Sequence, residues 1–370
     1  MRMPNQSEGD SERMSKFIRT AYAGQFPPAD IDSRYDVLLY ANESPYNIAE
    51  EVLGSEGLEK ITSLCFNRYP DCEAKELRKA YGRFLGGISP ENIAAGNGSD
   101  ELIRVTGDVF LDPGDVMISC EPAFSVYRRS AEIARARYIG LHSQHEYMHP
   151  DISALIGLSE REKAKVIIIC SPHNPTGYVW KQADILRVVD ETDALVVVDE
   201  AYIDFADTES MAKTAVNNEK LIVLRTMSKA FSLAALRIGF ACGTAENIRA
   251  LNCGTDMYNI NSFSQALAVI MLENSSKVFR QIDIIKKEKD RVFDELGRIN
   301  GIKAFPSGAN FILTECSFAG ETAQLAEMRN ILLRFYRENP SLIRLSIGNK
   351  EENDRLLAVI KEAADENMQN

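Results

Sequence analysis

The chain has 370 residues, 45% of them apolar and 26% charged, the proportions of an ordinary globular protein with room for two or three structural units. Its formal net charge of −12 argues against nucleic acid as a partner, yet leaves room for a small anionic ligand held by a few local arginines. Seven cysteines without a C-x-x-C pair, and four histidines without an H-E-x-x-H or a cluster, predict reduced thiols in a cytoplasmic protein, with neither a disulfide frame nor a metal site.

In chain order, residues 1–13 read as a disordered or tag-like lead. The polar start lacks the apolar core of a secretory signal, and no run of about 18 apolar residues predicts a membrane span. Residues 14–50 are mixed, with turn signals in QFPPADID and NESPYN. From about residue 51 to 255, short apolar runs alternate with helical patterns: VMISC (116–120), RYIGL (137–141), KVIIIC (165–170), ALVVVD (194–199), KLIVLR (220–225) and IGFAC (238–242). Several are β-branched throughout, which predicts strands covered on both faces in a mostly parallel α/β sheet. Ligands of such sheets gather at the carboxyl ends of the strands.

After residue 262 the pattern changes to a long amphipathic helical stretch, broken near ENSS. Short strands IKAFP, NFILTE and LIRLSIG follow, with AQLAEMRNILLRFY as a helix between them. This is the pattern of a small α+β domain. The resulting division is an N-terminal arm contributing to a small domain (1–50), a large domain (51–262) and a C-terminal small domain (263–370).

The residues that could carry chemistry fall at strand ends. In GNGSDELI, Gly96, Gly98 and Ser99 precede an amphipathic helix with Asp100 and Glu101 in its first turn; free N–H groups there suit a phosphate, although an ordinary N-cap reads the same way. Phe124 in CEPAFSVY could stack on a planar ring or fill a core. In SPHNPTG, Pro172, Pro175 and Gly177 fix a turn that aims the Asn174 amide. Asp199 ends an apolar strand with Tyr202 three residues on, and a carboxylate there needs a distant cation or a cationic ligand. RTMSKAFSLAALRIGF sets one lysine, Lys229, among Thr226, Ser228 and Arg237, as a Schiff-base lysine beside a phosphate cluster would be. One ligand answers all of these features. Pyridoxal phosphate has a ring to stack, a ring oxygen, a pyridinium nitrogen, a phosphate and an aldehyde that condenses with lysine.

In NESPYN, NRYPD, GNGSDELI, SPHNPTG, VVVDEAYIDF, RTMSKAFSLAALRIGF, SGANFIL and IRLSIGNKEENDRLL, from about residue 20 to 360, the chain resembles the fold-type-I pyridoxal-phosphate enzymes and is most similar to histidinol-phosphate aminotransferases. The resemblance implies a seven-stranded, mostly parallel sheet plus a small α+β domain. It makes Lys229 the Schiff-base lysine and pairs Asp199 with the pyridinium nitrogen. Asn174 and Tyr202 would contact the ring oxygen, and Phe124 would stack where the family usually has tyrosine. The phosphate would sit among Ser99, Asp100, Thr226, Ser228 and Arg237, with Tyr69 reaching in from a second subunit of a homodimer. Arg344 would hold the anionic end of the substrate, with Arg334 and Tyr22 also on the substrate side.

Under that resemblance an amino donor and a keto-acid acceptor are the partners, with no nucleic acid and no membrane. A decarboxylase, lyase or cyclase on the same frame is the alternative; a cofactor-sensing regulator would need a DNA-binding domain that this acidic chain has no room for. The substrate itself is ambiguous. Asp256, in NCGTDMYNINS, would favour a free, basic amino acid if it faces the pocket and reads equally as a solvated loop residue, whereas Arg334 argues for an anionic donor; on balance the expectation is a free amino acid over histidinol phosphate.

Overall fold

The β-branched runs in the middle of the chain form a sheet sealed on both faces. A computed structural model describes residues 35–142, 151–336 and 338–369; the lead over residues 1–13, the QFPPADID turn and Tyr22 lie outside them. In chain order the elements begin with β1 (Val37–Leu39), α1 (Ile48–Thr62), α2 (Lys75–Phe84), β2 (Ile93–Asn97), α3 (Ser99–Phe110), β3 (Val116–Glu121), α4 (Ser125–Ile133) and β4 (Arg137–His142). Then come α5 (Ile152–Glu162), β5 (Val166–Cys170), α6 (Gln182–Glu191), β6 (Leu195–Asp199), α7 (Ala212–Ala215), β7 (Leu221–Thr226), β8 (Ile238–Cys242) and α8 (Ala245–Gly254). The remainder is α9 (Ser262–Glu273), α10 (Ser275–Leu296), β9 (Ile302–Ala304), β10 (Phe311–Cys316), α11 (Ala319–Met328), β11 (Ile331–Phe335), β12 (Leu342–Ser346) and α12 (Lys350–Gln369).

The larger sheet has seven strands in the order β2-β8-β7-β6-β5-β3-β4. From β4 to β7 all neighbours are parallel, while β8 is antiparallel to both β7 and β2. All six runs read as strands are strands, in the mostly parallel α/β architecture expected of them. Successive residues point to opposite faces. Ile167 and Ile169 therefore join one apolar core with Val196 and Val198, and Val166 and Ile168 join the other with Val197 and Ile222. The edge strand β2, IAAGN, escapes a reading by β-propensity because alanine and glycine have little of it.

A second sheet has five strands in the order β1-β11-β12-β10-β9, with β1 parallel to β11 and the other pairs antiparallel. Here one expectation is corrected. AQLAEMRNILLRFY is not a single helix: α11 stops at Met328, Asn330 takes a left-handed φ of 58°, and ILLRF continues as β11. Asparagine tolerates that conformation, and β1 and β12 on either side satisfy the backbone of β11. Tertiary pairing overrides the local helical pattern. The break expected near ENSS falls between α9 and α10, at Asn274. Among the described residues, no helix is long and apolar enough to cross a membrane.

The start of α3 packs closely on the large sheet at Gly239 in β8, where a Cβ would lie 2.3 Å from the backbone nitrogen of Ser99. Nothing flexible can yield there. Gly239→Ala should lower unfolding stability by about 1–3 kcal/mol, the usual penalty of overpacking. Urea unfolding of the two proteins side by side checks this, and an unchanged midpoint would show that α3 shifts without cost.

Candidate functional site

Because the parallel strands end on one edge of the large sheet, the loops after β3, β5, β6 and β7 open together onto a cleft of about 650 Å³. Its floor is Asp199, the last residue of β6, which is 4% exposed. Its Oδ2 accepts a 2.6 Å hydrogen bond from the Tyr127 hydroxyl, and Oδ1 accepts from the Ala201 N–H at 3.1 Å. Burial pushes the carboxyl up to about 6, against the lowering effect of the Tyr127 bond. Among the described residues no cation lies within ion-pair distance of Asp199, and Lys229 acts on it only as a weaker, more distant charge, which leaves a place for a cationic ligand.

On one side of the cleft the first turn of α3 faces Arg237. Gly98 precedes the helix with a φ of 81°, and a Cβ there would lie 2.4 Å from Arg237 Nη2, so only glycine lets the guanidinium approach. Arg237 donates from Nη2 to Asp100 Oδ2 at 3.1 Å and from Nη1 to Ser228 Oγ at 3.2 Å. Thr226 Oγ1 accepts from the Ser228 N–H at 3.1 Å, and the two hydroxyls are 3.0 Å apart. Helix N–H groups, two hydroxyls and a guanidinium thus converge, a donor set suited to a phosphate.

Lys229 follows β7. Its Nζ donates to the Ala41 carbonyl at 2.8 Å and lies 6.0 Å from the centre of the Tyr202 ring. Burial, with Arg344 nearby as a second cause, brings the amine down to about 8. Tyr202 is buried, which holds its phenol well above the ordinary range and keeps it protonated. On the opposite side, Arg344 in β12 donates from Nη1 to Asn174 Oδ1 at 2.6 Å and from Nη2 to the Tyr40 carbonyl at 2.5 Å. Its Nε is buried without a partner. Arg334 stands opposite Arg344 in the β11–β12 register, and both line the cleft.

All of the expected cofactor residues except Tyr69 line this cleft, as do Arg334 and Arg344. Phe124 lines it too, with its ring edge-on to Tyr127 at 5.8 Å. Tyr69 is instead 81% exposed and stacks on Tyr258, with ring centres 4.5 Å apart. Asp256 is exposed and does not line this cleft, and Tyr22 lies outside the described residues.

Sequence reasoning missed three contributors. Tyr127 sits one helical turn past Phe124, a spacing that could have pointed to a shared target. Glu43 and Asn42 come from NESPYN, read as a turn and a family motif with no residue of it given a role; Glu43 lines the cleft, and Asn42 is 1% exposed with a left-handed φ of 55°. Behind the site, Arg225 is buried between Asp204, at 2.5 Å, and Glu200, at 3.8 Å. Glu200 also accepts from Ser210 Oγ and the Met211 N–H.

Residues 37–360 match the family model for aminotransferases of class I and II. A histidinol-phosphate aminotransferase of Caldanaerobacter subterraneus subsp. tengcongensis is 35% identical over 331 residues, covering 89% of this chain and 93% of that one. Another from a Thermoanaerobacter species is 36% identical over 332 residues, with the same coverage of 89% and 93%. Among solved structures, histidinol-phosphate aminotransferase of Sinorhizobium meliloti in complex with pyridoxal-5′-phosphate superposes with a TM-score of 0.85 at 21% identity, over 96% of this chain and all of that one.

The raised Asp199 has a measurable consequence in protein freed of small molecules. A carboxyl whose folded value is raised stabilises the fold below its unfolded value and loses that contribution as the pH rises through the folded value. The rise from 3.8 to about 6 corresponds to roughly 3 kcal/mol. Asp199→Asn should therefore gain stability relative to the native chain, by up to that amount, between pH 4 and 7. Urea unfolding of both across this range tests it; a difference that stays flat with pH would mean that Asp199 ionises normally.

Proposed function

The chain belongs to the class I and II aminotransferases, pyridoxal-phosphate-dependent enzymes of fold type I, and on that premise we propose that Lys229 is the covalent attachment point of the cofactor and that the donor substrate carries an anionic group, as histidinol phosphate does. The observation that carries this reading is the single amine in a cleft whose other groups match the cofactor part by part. The α3 N-terminus, Thr226, Ser228 and Arg237 fit its phosphate. Asp199 fits a ring nitrogen that bears a proton, Phe124 fits the ring face, and Asn174 and Tyr202 fit the ring oxygen.

When bound, pyridoxal phosphate supplies an aldehyde carbon for amines and a ring that draws electrons from the bonds at the substrate Cα. The residues supply the rest. Asp199, held by Tyr127, keeps a proton on the facing ring nitrogen, because a buried carboxylate gains most from a cation at that point. Arg237, already positioned by Asp100 and Ser228, would hold the phosphate and prevent drift. With its amine brought down to about 8, Lys229 has a sizeable neutral fraction near neutral pH. Once the donor amine takes its place on the cofactor, the freed Nζ would accept the proton from the donor Cα.

Arg344 and Arg334, cross-strand neighbours at the cleft wall, support an anionic donor, since two guanidiniums together disfavour a cationic side chain. Within one chain Asp256 does not line the cleft, and it stands two residues before Tyr258, on which Tyr69 stacks, so a basic donor would require Asp256 to act from the partner's side. The same reading includes a homodimer in which Tyr69 enters the partner's phosphate site. Exposed Phe66, Tyr69 and Met257 give that surface its apolar character, at 67%, 81% and 74% exposure. It also includes the arm, large-domain and small-domain division at residues 50 and 262, supported by the two separate sheets. A cytoplasmic location is in keeping with seven free cysteines.

Borohydride reduction followed by peptide mapping tests the assignment: the label should fall on Lys229, and Lys229→Ala should bind cofactor reversibly with turnover abolished. Label on another lysine would overturn it. Half-reactions read by cofactor absorbance should run with histidinol phosphate and not with arginine or lysine; the opposite order would reverse the substrate reading. Activity should fall on dilution in step with dimer dissociation followed by sedimentation, and a fully active monomer would exclude the shared site.

A further inference from the structure

Asn42 is a buried residue whose polar groups are all used, by Ser346, Asn310 and Tyr202. Its N–H donates to Ser346 Oγ at 2.9 Å, and its carbonyl accepts from Asn310 Nδ2 at 3.0 Å. Its side-chain Oδ1 accepts from Ser346 Oγ at 2.9 Å, and its Nδ2 donates to the Tyr202 hydroxyl at 3.0 Å. Ser346 Oγ accepts the Asn42 N–H and directs its one hydroxyl proton to Oδ1. Oδ1 thereby faces Ser346, which turns the amide nitrogen toward Tyr202.

This fixes what Tyr202 can do. A phenol has one proton, and an oxygen that accepts from Asn42 keeps that proton for another acceptor. Tyr202 lines the cleft, and its raised phenol value means that the proton stays on the oxygen. The arrangement thus orients the hydroxyl as a donor into the cleft. It also ties that hydroxyl to β12, because Ser346 stands two residues after Arg344 on the same strand.

We propose that Asn42 is a positioning residue that sets Tyr202 as a hydrogen-bond donor to the cofactor's ring oxygen and couples this donor to the strand carrying Arg344. The proposal rests on the reading above in which Tyr202 contacts that oxygen. A donor to the ring oxygen draws charge from it, so the cofactor's basic group holds its proton less tightly; losing the donor raises the pH at which the bound cofactor's visible absorbance changes.

Three variants test this: Asn42→Asp, Tyr202→Phe and the double variant. Aspartate keeps the size and tolerates the left-handed backbone, but it accepts where asparagine donated, and so draws the Tyr202 proton away from the cleft. Both single variants should raise the absorbance midpoint, by about one pH unit, the scale of one lost hydrogen bond to a charged group. The double variant should go no further than Tyr202→Phe. An equal shift by Asn42→Asp in both backgrounds would mean that its new charge acts directly, which overturns the proposal. Absence of any shift in Tyr202→Phe would instead overturn the underlying contact between Tyr202 and the cofactor. Asn42→Gly keeps the backbone conformation and covers a failure of the aspartate variant to fold; it too should shift the midpoint upward, and an unmoved midpoint counts against the proposal.

Discussion

Asp199 is a carboxylate taken out of water at the end of an apolar strand, and the site is laid out around that penalty. Its hydrogen bonds come from a phenol and a backbone N–H, neutral donors that steady the carboxylate without cancelling its charge. Lys229, the nearby cation, is turned away to the Ala41 carbonyl. Burial thus pushes the two groups in opposite senses, the acid up to about 6 and the amine down to about 8. Each is brought closer to neutrality than it would be in water, so both can change protonation state without large excursions in pH.

The same edge of the sheet solves a second problem, that of holding anions. Arg237 is admitted by a glycine and tethered by Asp100 and Ser228, whereas Arg344 is held by a carbonyl and an amide. Asp100, the carboxylate beside Arg237, is half exposed, and among the described residues Arg344 has no carboxylate within ion-pair distance, whereas Arg225 is buried against Asp204. Arg225 braces the ends of β6 and β7; the two cleft arginines keep more of their charge for a ligand. The contrast separates the ion-paired Arg225 from the two arginines that line the cleft.

Much of this was legible in the sequence because strand ends and chemistry coincide. SPHNPTG, VVVDEAYIDF and RTMSKAFSLAALRIGF each join a buried strand to a polar turn, so the period of the apolar run and the odd residue after it carry the same message. Partners chosen by tertiary packing were not legible. Tyr127 reads as an ordinary helical tyrosine until α4 is docked over β6. NESPYN reads as a turn until Asn42 meets residues 160, 268 and 304 positions away. ILLRF continues a helical pattern until neighbouring strands claim its backbone, and IAAGN lacks the side chains that mark a strand. Tyr69 and Asp256 are surface residues within one chain, so their meaning depends on what lies against that surface.

The stitching of segment 40–43 has a consequence for how the molecule is made. The carbonyl that receives Lys229 is 188 residues from it, and the contact between Asn42 and Ser346 spans 304. Contacts of such separation are costly to close and form after local ones. During synthesis the larger sheet can assemble from residues that have already emerged, while its cleft wall waits for β12, which follows the last strand of that sheet, β8, far along the sequence. A nascent chain therefore carries the lysine, the aspartate and the first turn of α3 well before it has a closed pocket. Commitment to a complete cleft is deferred until β12 has been made.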